Sequence, residues 1–285
     1  MSGQGTTPWM ASWRSGYAED CKSLHPGSIP GEASTARLAD ITACRAGDVA
    51  TDAAGTARAG HMTFDYAAQR LKMVDGQLRT TDVTNVPILD AMITVPREDF
   101  VPANRKPLAY IDEDIEIAPA RDGAPARYLM EPSPFGKLLQ LAEIRKDDVV
   151  LDVGSGTGYS AAVLSKLASS VIALESDADL AAAAAQTLGR LGANNVAVVE
   201  GPLEAGYKSE APFDVIVVEG AVEEMPEQLF EQLKEGGRLV AVVGQGNTGK
   251  AMLFLKENGM VAARRGFNCA IKPLAAFHLP PTFHF

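Results

Sequence analysis

The stretch Val149-Val150-Leu151-Asp152-Val153-Gly154-Ser155-Gly156-Thr157-Gly158-Tyr159 decides the fold of this chain. Its first five residues form a short apolar run, interrupted by one acid, that predicts a buried strand. Three glycines follow at alternate positions, and residues 160–167 then place apolar side chains at helical spacing. A strand, a glycine turn and a helix are the first unit of a nucleotide-binding α/β fold. The turn lets a ligand lie against the backbone, and the helix start attracts an anion.

The glycine spacing indicates which nucleotide is bound. The dinucleotide motif G-x-G-x-x-G would need a third glycine at position 159, where Tyr159 stands. Asp152 would repel a pyrophosphate, but it suits the ammonium group of a methionine whose carboxylate faces the helix start. The stretch therefore favours S-adenosylmethionine over NAD. The predicted contacts of the cofactor in this stretch are Asp152, Gly154, Ser155, Gly156, Thr157 and Gly158.

Strands and helices alternate beyond the glycine turn. The pattern predicts strands at 170–175, 195–201, 213–220 and 238–243, and then a hairpin that turns at Asn258-Gly259. Upstream, residues 64–74 and a segment that starts at Asp82 as N-cap are predicted helices that cap the domain. The predicted fold class is α/β, with a mostly parallel sheet and an antiparallel C-terminal hairpin. Such a finish resembles the methyltransferase sheet.

Four predicted strands end in acids, at the sheet edge where open α/β folds bind their ligands. Glu175 lies about twenty residues beyond the glycine turn, where a carboxylate binds ribose hydroxyls in either cofactor. Ser176 follows Glu175 and is predicted to line the same site. Glu200, with Gly201 behind it, is predicted to accept the adenine amino group. Glu219 is predicted to face the reaction cleft.

Composition limits the classes of function. The 285 residues have a net charge of −10, so no broad basic surface for nucleic acid is expected. Membrane helices need roughly 20 apolar residues, and no such run is present. The cysteines Cys21, Cys44 and Cys269 lack metal-ligand spacing. We therefore expect a cytoplasmic protein without a metal, a nucleic-acid partner or a membrane partner; its oligomeric state stays open.

No catalytic triad is visible, and no catalytic residue is assigned. All four histidines (His25, His61, His278 and His284) lie in terminal segments. This pattern is compatible with methyl transfer to a carboxylate, because that group is already ionised at neutral pH and needs no general base.

The chain is predicted to have four parts. Residues 1–61, rich in small and polar residues, are predicted to be a disordered extension or a non-native leader. Residues 62–144 would form the helical cap and the acceptor loop, 145–276 the S-adenosylmethionine-binding domain, and 277–285 a C-terminal tail.

Several motifs together resemble one family. They are Val95-Pro96-Arg97 with Phe100-Val101-Pro102, the glycine stretch 151–159, and Gly236-Gly237-Arg238-Leu239-Val240. From about Met73 to Leu274 the chain resembles the protein-L-isoaspartate O-methyltransferases. The resemblance implies a Rossmann-like class I methyltransferase fold and the cofactor S-adenosylmethionine. It also implies methylation of isoaspartyl carboxylates in damaged proteins, which is a repair reaction.

The acceptor loop departs from that family. Tyr128-Leu129-Met130-Glu131-Pro132 stands where the family has Thr-Ile-Ser-Gln-Pro, so Met130 replaces a serine. The resemblance places Tyr128, Met130, Glu131 and Ser133 at the substrate, with Ser133 as a displaced hydroxyl. Glu131 and Glu219 would bring negative charge toward an anionic acceptor. Two alternatives therefore stay open: a methyltransferase for a different, unidentified small acceptor, and a non-catalytic S-adenosylmethionine-binding module.

Overall fold

The computed structural model describes residues 64–121, 124–244 and 246–277. Its main feature is a seven-stranded sheet in the order β5-β4-β3-β6-β7-β8-β9. Those strands are β3 (Val149–Val153), β4 (Ser170–Glu175), β5 (Val196–Glu200), β6 (Phe213–Val222), β7 (Leu233–Val243), β8 (Lys250–Glu257) and β9 (Met260–Asn268). A separate two-stranded sheet pairs β1 (Ile115–Ala118) with β2 (Arg127–Leu129).

The strand directions match the predicted class. Strands β3 to β7 run parallel, and β8 and β9 close the sheet as an antiparallel hairpin. β3 lies between β4 and β6, so the chain reverses its direction of travel across the sheet beside β3. Ligands of open α/β sheets bind at such a switch point, beyond the carboxyl ends of the strands. The predicted α/β fold with an antiparallel C-terminal hairpin is confirmed.

Helices cover both faces of the sheet. They are α1 (Tyr66–Met73), α2 (Val86–Thr94), α3 (Pro132–Ala142), α4 (Tyr159–Leu167), α5 (Ala178–Arg190) and α6 (Glu227–Glu231). One buried apolar cluster joins Met92 of α2, Leu138 of α3, Leu164 of α4 and Val217 of β6. The N-terminal helices therefore share one core with the sheet.

Some predicted boundaries were wrong. The N-cap of α2 is Asn85, whose side chain accepts from the Ile88 N–H, whereas Asp82 has a left-handed backbone (φ 69°). The side-chain oxygen of Gln140 accepts from the backbone of Thr84 and Asn85, which sets the helix start from a distance in sequence. The predicted acceptor loop at 128–132 includes the end of β2 and the first residue of α3, because Pro132 starts that helix where no N–H is needed.

Several predictions concern residues outside the described part. They are the extension at 1–61, the tail beyond Phe277, and all four histidines. The described helices contain none with the length and apolar character to cross a bilayer. No group of three or more His, Cys, Asp or Glu side chains in residues 64–121, 124–244 and 246–277 is arranged to hold a metal ion.

Candidate active site

The glycine turn forms the floor of the candidate site. Gly154, Gly156 and Gly158 have φ values of 83°, 56° and 94°, which side chains other than glycine rarely adopt. A Cβ on Gly156 would lie 2.7 Å from Cδ1 of Ile117, so β1 packs directly over the turn. The hydroxyl of Thr157 donates to the carbonyl of Phe100 at 2.6 Å. These contacts hold the turn against the N-terminal segment.

Asp152 is buried at the carboxyl end of β3. Its Oδ2 accepts from Ser160 Oγ at 2.7 Å. Its Oδ1, like the neighbouring Ser155 Oγ, has no hydrogen-bond partner in the described part of the chain. Burial raises the pKa of Asp152, and the charge of Glu175 acts in the same direction. An unpaired carboxylate oxygen beside a glycine turn is a group that a ligand cation would satisfy.

Glu175 does not present a free carboxylate. Its side chain is fully buried, and Arg127 of β2 binds both of its oxygens. Its Oε2 also accepts from Gly156 N at 2.7 Å, and its Oε1 accepts from Ser176 N at 2.8 Å. A carboxylate has about four acceptor positions, so these bonds use all of them. Sequence reasoning missed Arg127, because no local pattern links β2 to the end of β4.

A cavity of about 420 Å³ adjoins this ion pair. Arg127, Ser176 and Asp177 supply polar groups on its wall, and Leu203 and Leu274 supply apolar surface. The mixture suits a nucleoside, whose base is flat and apolar and whose sugar is polar. Glu200 is exposed at the end of β5, and Gly201 N donates to the backbone carbonyl of Glu175. The predicted role of Glu200 in binding adenine stays a prediction.

The acceptor loop is only partly available to a substrate. Met130 is buried in the core, and its carbonyl accepts from Arg97 Nη2 at 2.7 Å. The hydroxyl of Ser133 donates to Thr81 Oγ1 at 2.8 Å, so it is already engaged within the protein. Tyr128 is partly exposed, with Lys272 Nζ 5.4 Å from the centre of its ring.

Glu131 sits in an acidic environment. Its backbone N–H donates to Asp114 Oδ1 at 2.9 Å. Burial raises the pKa of its carboxyl to about 7, and the charges of Asp114, Asp112 and Glu113 act in the same direction. A substantial fraction of Glu131 is therefore neutral at physiological pH. The expected repulsion of an anionic acceptor by this residue is reduced accordingly.

Glu219 lies near Asp152 on one face of the sheet. Asp152 pairs with Val217 across β3 and β6, and Glu219 follows Val217 by two residues, which returns its side chain to the same face. Its Oε1 is buried and has no hydrogen-bond partner among the described residues. Burial raises the pKa of Glu219, Asp152 raises it further, and Arg97 opposes both. The structure thus brings Asp152 and Glu219 together beside the glycine turn.

A family model described as protein-L-isoaspartate(D-aspartate) O-methyltransferase matches residues 69–276. The chain belongs to this family. A protein-L-isoaspartate O-methyltransferase of Koribacter versatilis is 38% identical over 209 residues, which are 73% of this chain and 91% of the relative. One from Methanoculleus marisnigri is 37% identical over 193 residues, 68% of this chain and 85% of the relative.

Solved structures agree with this assignment. One, a protein-L-isoaspartate O-methyltransferase, matches with a TM-score of 0.63 and 28% identity, covering 72% of this chain and 66% of that one. Another, from Plasmodium falciparum and in complex with S-adenosyl-L-homocysteine, shares the fold with a TM-score of 0.61 at 21% identity, covering 75% of this chain and 100% of that one. The predicted family, the methyltransferase class and S-adenosylmethionine as its cofactor are confirmed.

Proposed function

We propose that this protein transfers the methyl group of S-adenosylmethionine to the side-chain carboxylate of isoaspartyl residues in damaged proteins. The observation that supports this most strongly is the family match, which runs from the first helix to the end of the described chain. The same match disfavours the non-catalytic alternative. The predicted cytoplasmic location and the predicted lack of a nucleic-acid partner stay predictions.

The donor half of the site fits the cofactor. The glycine turn lets a ligand approach its backbone closely, and the unpaired Asp152 Oδ1 offers an acceptor for the ammonium of the methionyl end. The cavity beside Ser176 and Leu203 suits the adenosine end. Ribose hydroxyls would have to share Glu175 with Arg127, which already binds both oxygens of that carboxylate. Arg127 is therefore part of the proposed donor site.

Methyl transfer requires little from the protein beyond the alignment of the two reactants. When bound, S-adenosylmethionine supplies a methyl group attached to a positively charged sulfur. A carboxylate oxygen can attack that methyl carbon directly. The residues of this chain have to hold the two reactants in line and exclude water. The buried turn and the core position of Met130 provide an apolar boundary for that cleft. A general base is not required, since the acceptor is ionised at neutral pH.

Methyl transfer from labelled S-adenosylmethionine to a synthetic peptide tests the proposal. We expect label in a peptide with one isoaspartyl residue, as a base-labile ester, and none in the same peptide with a normal aspartate. The proposal fails if calorimetry shows that the protein binds S-adenosylhomocysteine while the isoaspartyl peptide stays unlabelled. Label in another acceptor from a cell extract would then favour the alternative methyltransferase.

A further inference from the structure

Three arginine side chains are buried in the described part of the chain, and one of them differs from the others. Arg127 is paired with Glu175, and Arg238 is paired with Asp148. Arg97 is the most buried of the three, with 0% of its surface exposed, yet the described residues offer it no carboxylate as an ion-pair partner. A buried cation without an anion is costly, so its position needs an explanation.

Arg97 is held in place by two of its three nitrogens. Nε donates to the carbonyl of Ala109 at 2.8 Å, and Nη2 donates to the carbonyl of Met130 in the acceptor loop. The guanidinium lies 4.7 Å from the centre of the Tyr159 ring. Nη1 is buried and has no hydrogen-bond partner among residues 64–121, 124–244 and 246–277. The side chain is thus fixed by the fold, with one N–H pair left for another group.

The hydroxyl of Tyr159 is a second unused donor. Tyr159 is the first residue of α4, directly after the glycine turn, and its ring packs against Phe100 and Phe135. Its hydroxyl is buried and forms no well-aligned hydrogen bond with a described residue, although Arg97 lies close enough to interact with it. Burial raises the pKa of Tyr159, so the hydroxyl keeps its proton, while Arg97 opposes that shift. A cation and a neutral hydroxyl donor therefore lie side by side between the glycine turn and the acceptor loop.

The surroundings of this pair are partly acidic. Glu219 and Asp152 each have one unpaired buried oxygen, and burial raises the pKa of both carboxyls. Arg97 opposes the shift of Glu219, and Asp114 also interacts with Arg97 through its charge. A raised pKa disfavours the ionised form of these carboxyls, so it weakens their neutralisation of Arg97. An incoming carboxylate would complete that neutralisation.

We propose that Arg97 Nη1 and the Tyr159 hydroxyl form a receptor for a carboxylate of a bound reactant. This inference rests on the proposed function for the identity of the two reactants. Both of them have a carboxylate: the isoaspartyl side chain of the acceptor and the methionyl end of the donor. A carboxylate accepts well from a guanidinium and a hydroxyl together, since it has two oxygens.

Tyr159→Phe is the cleanest test, because the hydroxyl that it removes forms no well-aligned hydrogen bond with a described residue in the free protein. Its unfolding temperature should therefore stay unchanged or rise. Tyr110→Phe is the matched control: that hydroxyl donates to Glu98 and accepts from Arg70 Nε, so its loss should lower stability without a specific loss of binding. Arg97→Lys keeps the charge but loses the forked geometry.

Binding is measured by calorimetry, independently of turnover. The donor arm compares S-adenosylhomocysteine with methylthioadenosine, which lacks the amino-acid end. The acceptor arm uses the isoaspartyl peptide with protein saturated by S-adenosylhomocysteine. We expect about a 10-fold loss in one arm for Tyr159→Phe and about a 10- to 100-fold loss for Arg97→Lys, with methylthioadenosine unaffected.

The two arms distinguish the source of the carboxylate. A loss of affinity for S-adenosylhomocysteine alone assigns the receptor to the donor. A loss of affinity for the peptide alone assigns it to the acceptor. The proposal is overturned if Tyr159→Phe and Arg97→Lys have affinities within twofold of those of Tyr110→Phe in both arms. Arg97 would then only support the acceptor loop. A wild-type protein that binds both ligands normally but fails to methylate the peptide would count against the proposed function instead.

Discussion

The donor half and the acceptor half of this site are built in different ways. In the donor half, Glu175 uses all of its acceptor positions on Arg127 and on backbone N–H groups. Next to the acceptor loop, Arg97 Nη1, the Tyr159 hydroxyl and Glu219 Oε1 are buried without well-aligned hydrogen bonds among the described residues, and so is Asp152 Oδ1 of the donor half. A satisfied network stabilises the fold before any ligand arrives, whereas unsatisfied buried groups favour a ligand that completes them. Substitutions in the Glu175 network should therefore change stability and binding together, and substitutions of the unpaired groups should mainly change binding.

Glu175→Gln in the donor half is expected to have the largest effect, on both the unfolding free energy and the affinity for the cofactor. This substitution leaves Arg127 buried without its anion, which should cost about 3–5 kcal/mol of unfolding free energy. We also expect about a 10- to 100-fold loss of affinity for S-adenosylhomocysteine, because ribose hydroxyls lose a charged acceptor. Urea denaturation measures the first quantity, and calorimetry measures the second.

Asp148→Asn is the matched control for that variant. It breaks the other buried arginine pair, Arg238 with Asp148, which ties the start of β3 to β7 at the opposite end of the sheet from the glycine turn. Its stability should fall by a similar amount, while its affinity for S-adenosylhomocysteine stays near that of the wild type. If both variants bind equally well, Glu175 is only the structural partner of Arg127 and leaves the list of cofactor contacts.

This contrast also explains how much the sequence could predict. The strand, the glycine turn and the helix are adjacent in the chain, so their pattern predicted the fold and the donor half. Arg127 reaches Glu175 across 48 residues, and Arg97 reaches Met130 across 33 residues. The periodicity of apolar residues along the sequence does not indicate contacts between residues so far apart in the chain. Val95-Pro96-Arg97 is a recognisable motif in the sequence, but the burial of its arginine depends on elements that are far away in the chain.

Glu131→Gln, in the acceptor half, is expected to have a smaller effect, which concerns the pH dependence of stability. The pKa of Glu131 is raised from 4.5 to about 7 in the folded protein. Its contribution to stability is therefore fully present below the unfolded pKa and is lost as pH rises through about 7. The stability of the wild-type protein should fall between about pH 5 and pH 8, and the stability of Glu131→Gln should fall less steeply over the same range. Asp152 and Glu219 have pKa values raised in the same direction and keep part of the slope.

The same variant should improve binding of the acceptor at high pH. Above about pH 7 the ionised Glu131 repels an isoaspartyl carboxylate, so Glu131→Gln should lower the KM for the peptide by about two- to fivefold at pH 8. At about pH 6 the two proteins should have nearly the same KM, because Glu131 is then mostly protonated. Glu257→Gln is a matched control at the end of β8 in the C-terminal hairpin, where its side chain is exposed. An equal change in both variants would point to the overall charge of the protein and away from the acceptor loop.

The smallest effect is expected from Ser133→Ala, and it tests the idea that this serine replaces the family's missing hydroxyl. Ser133 Oγ donates to Thr81 Oγ1, so its loss should cost about 0.5–1.5 kcal/mol of unfolding free energy. Ser165→Ala removes a comparable bond, from Ser165 Oγ to the carbonyl of Ala162, at a distance from the acceptor loop. We expect both variants to keep the wild-type KM for the peptide within twofold. A KM that rises in Ser133→Ala alone would place this hydroxyl on the substrate, and the acceptor half would then bind its carboxylate through a loop hydroxyl after all.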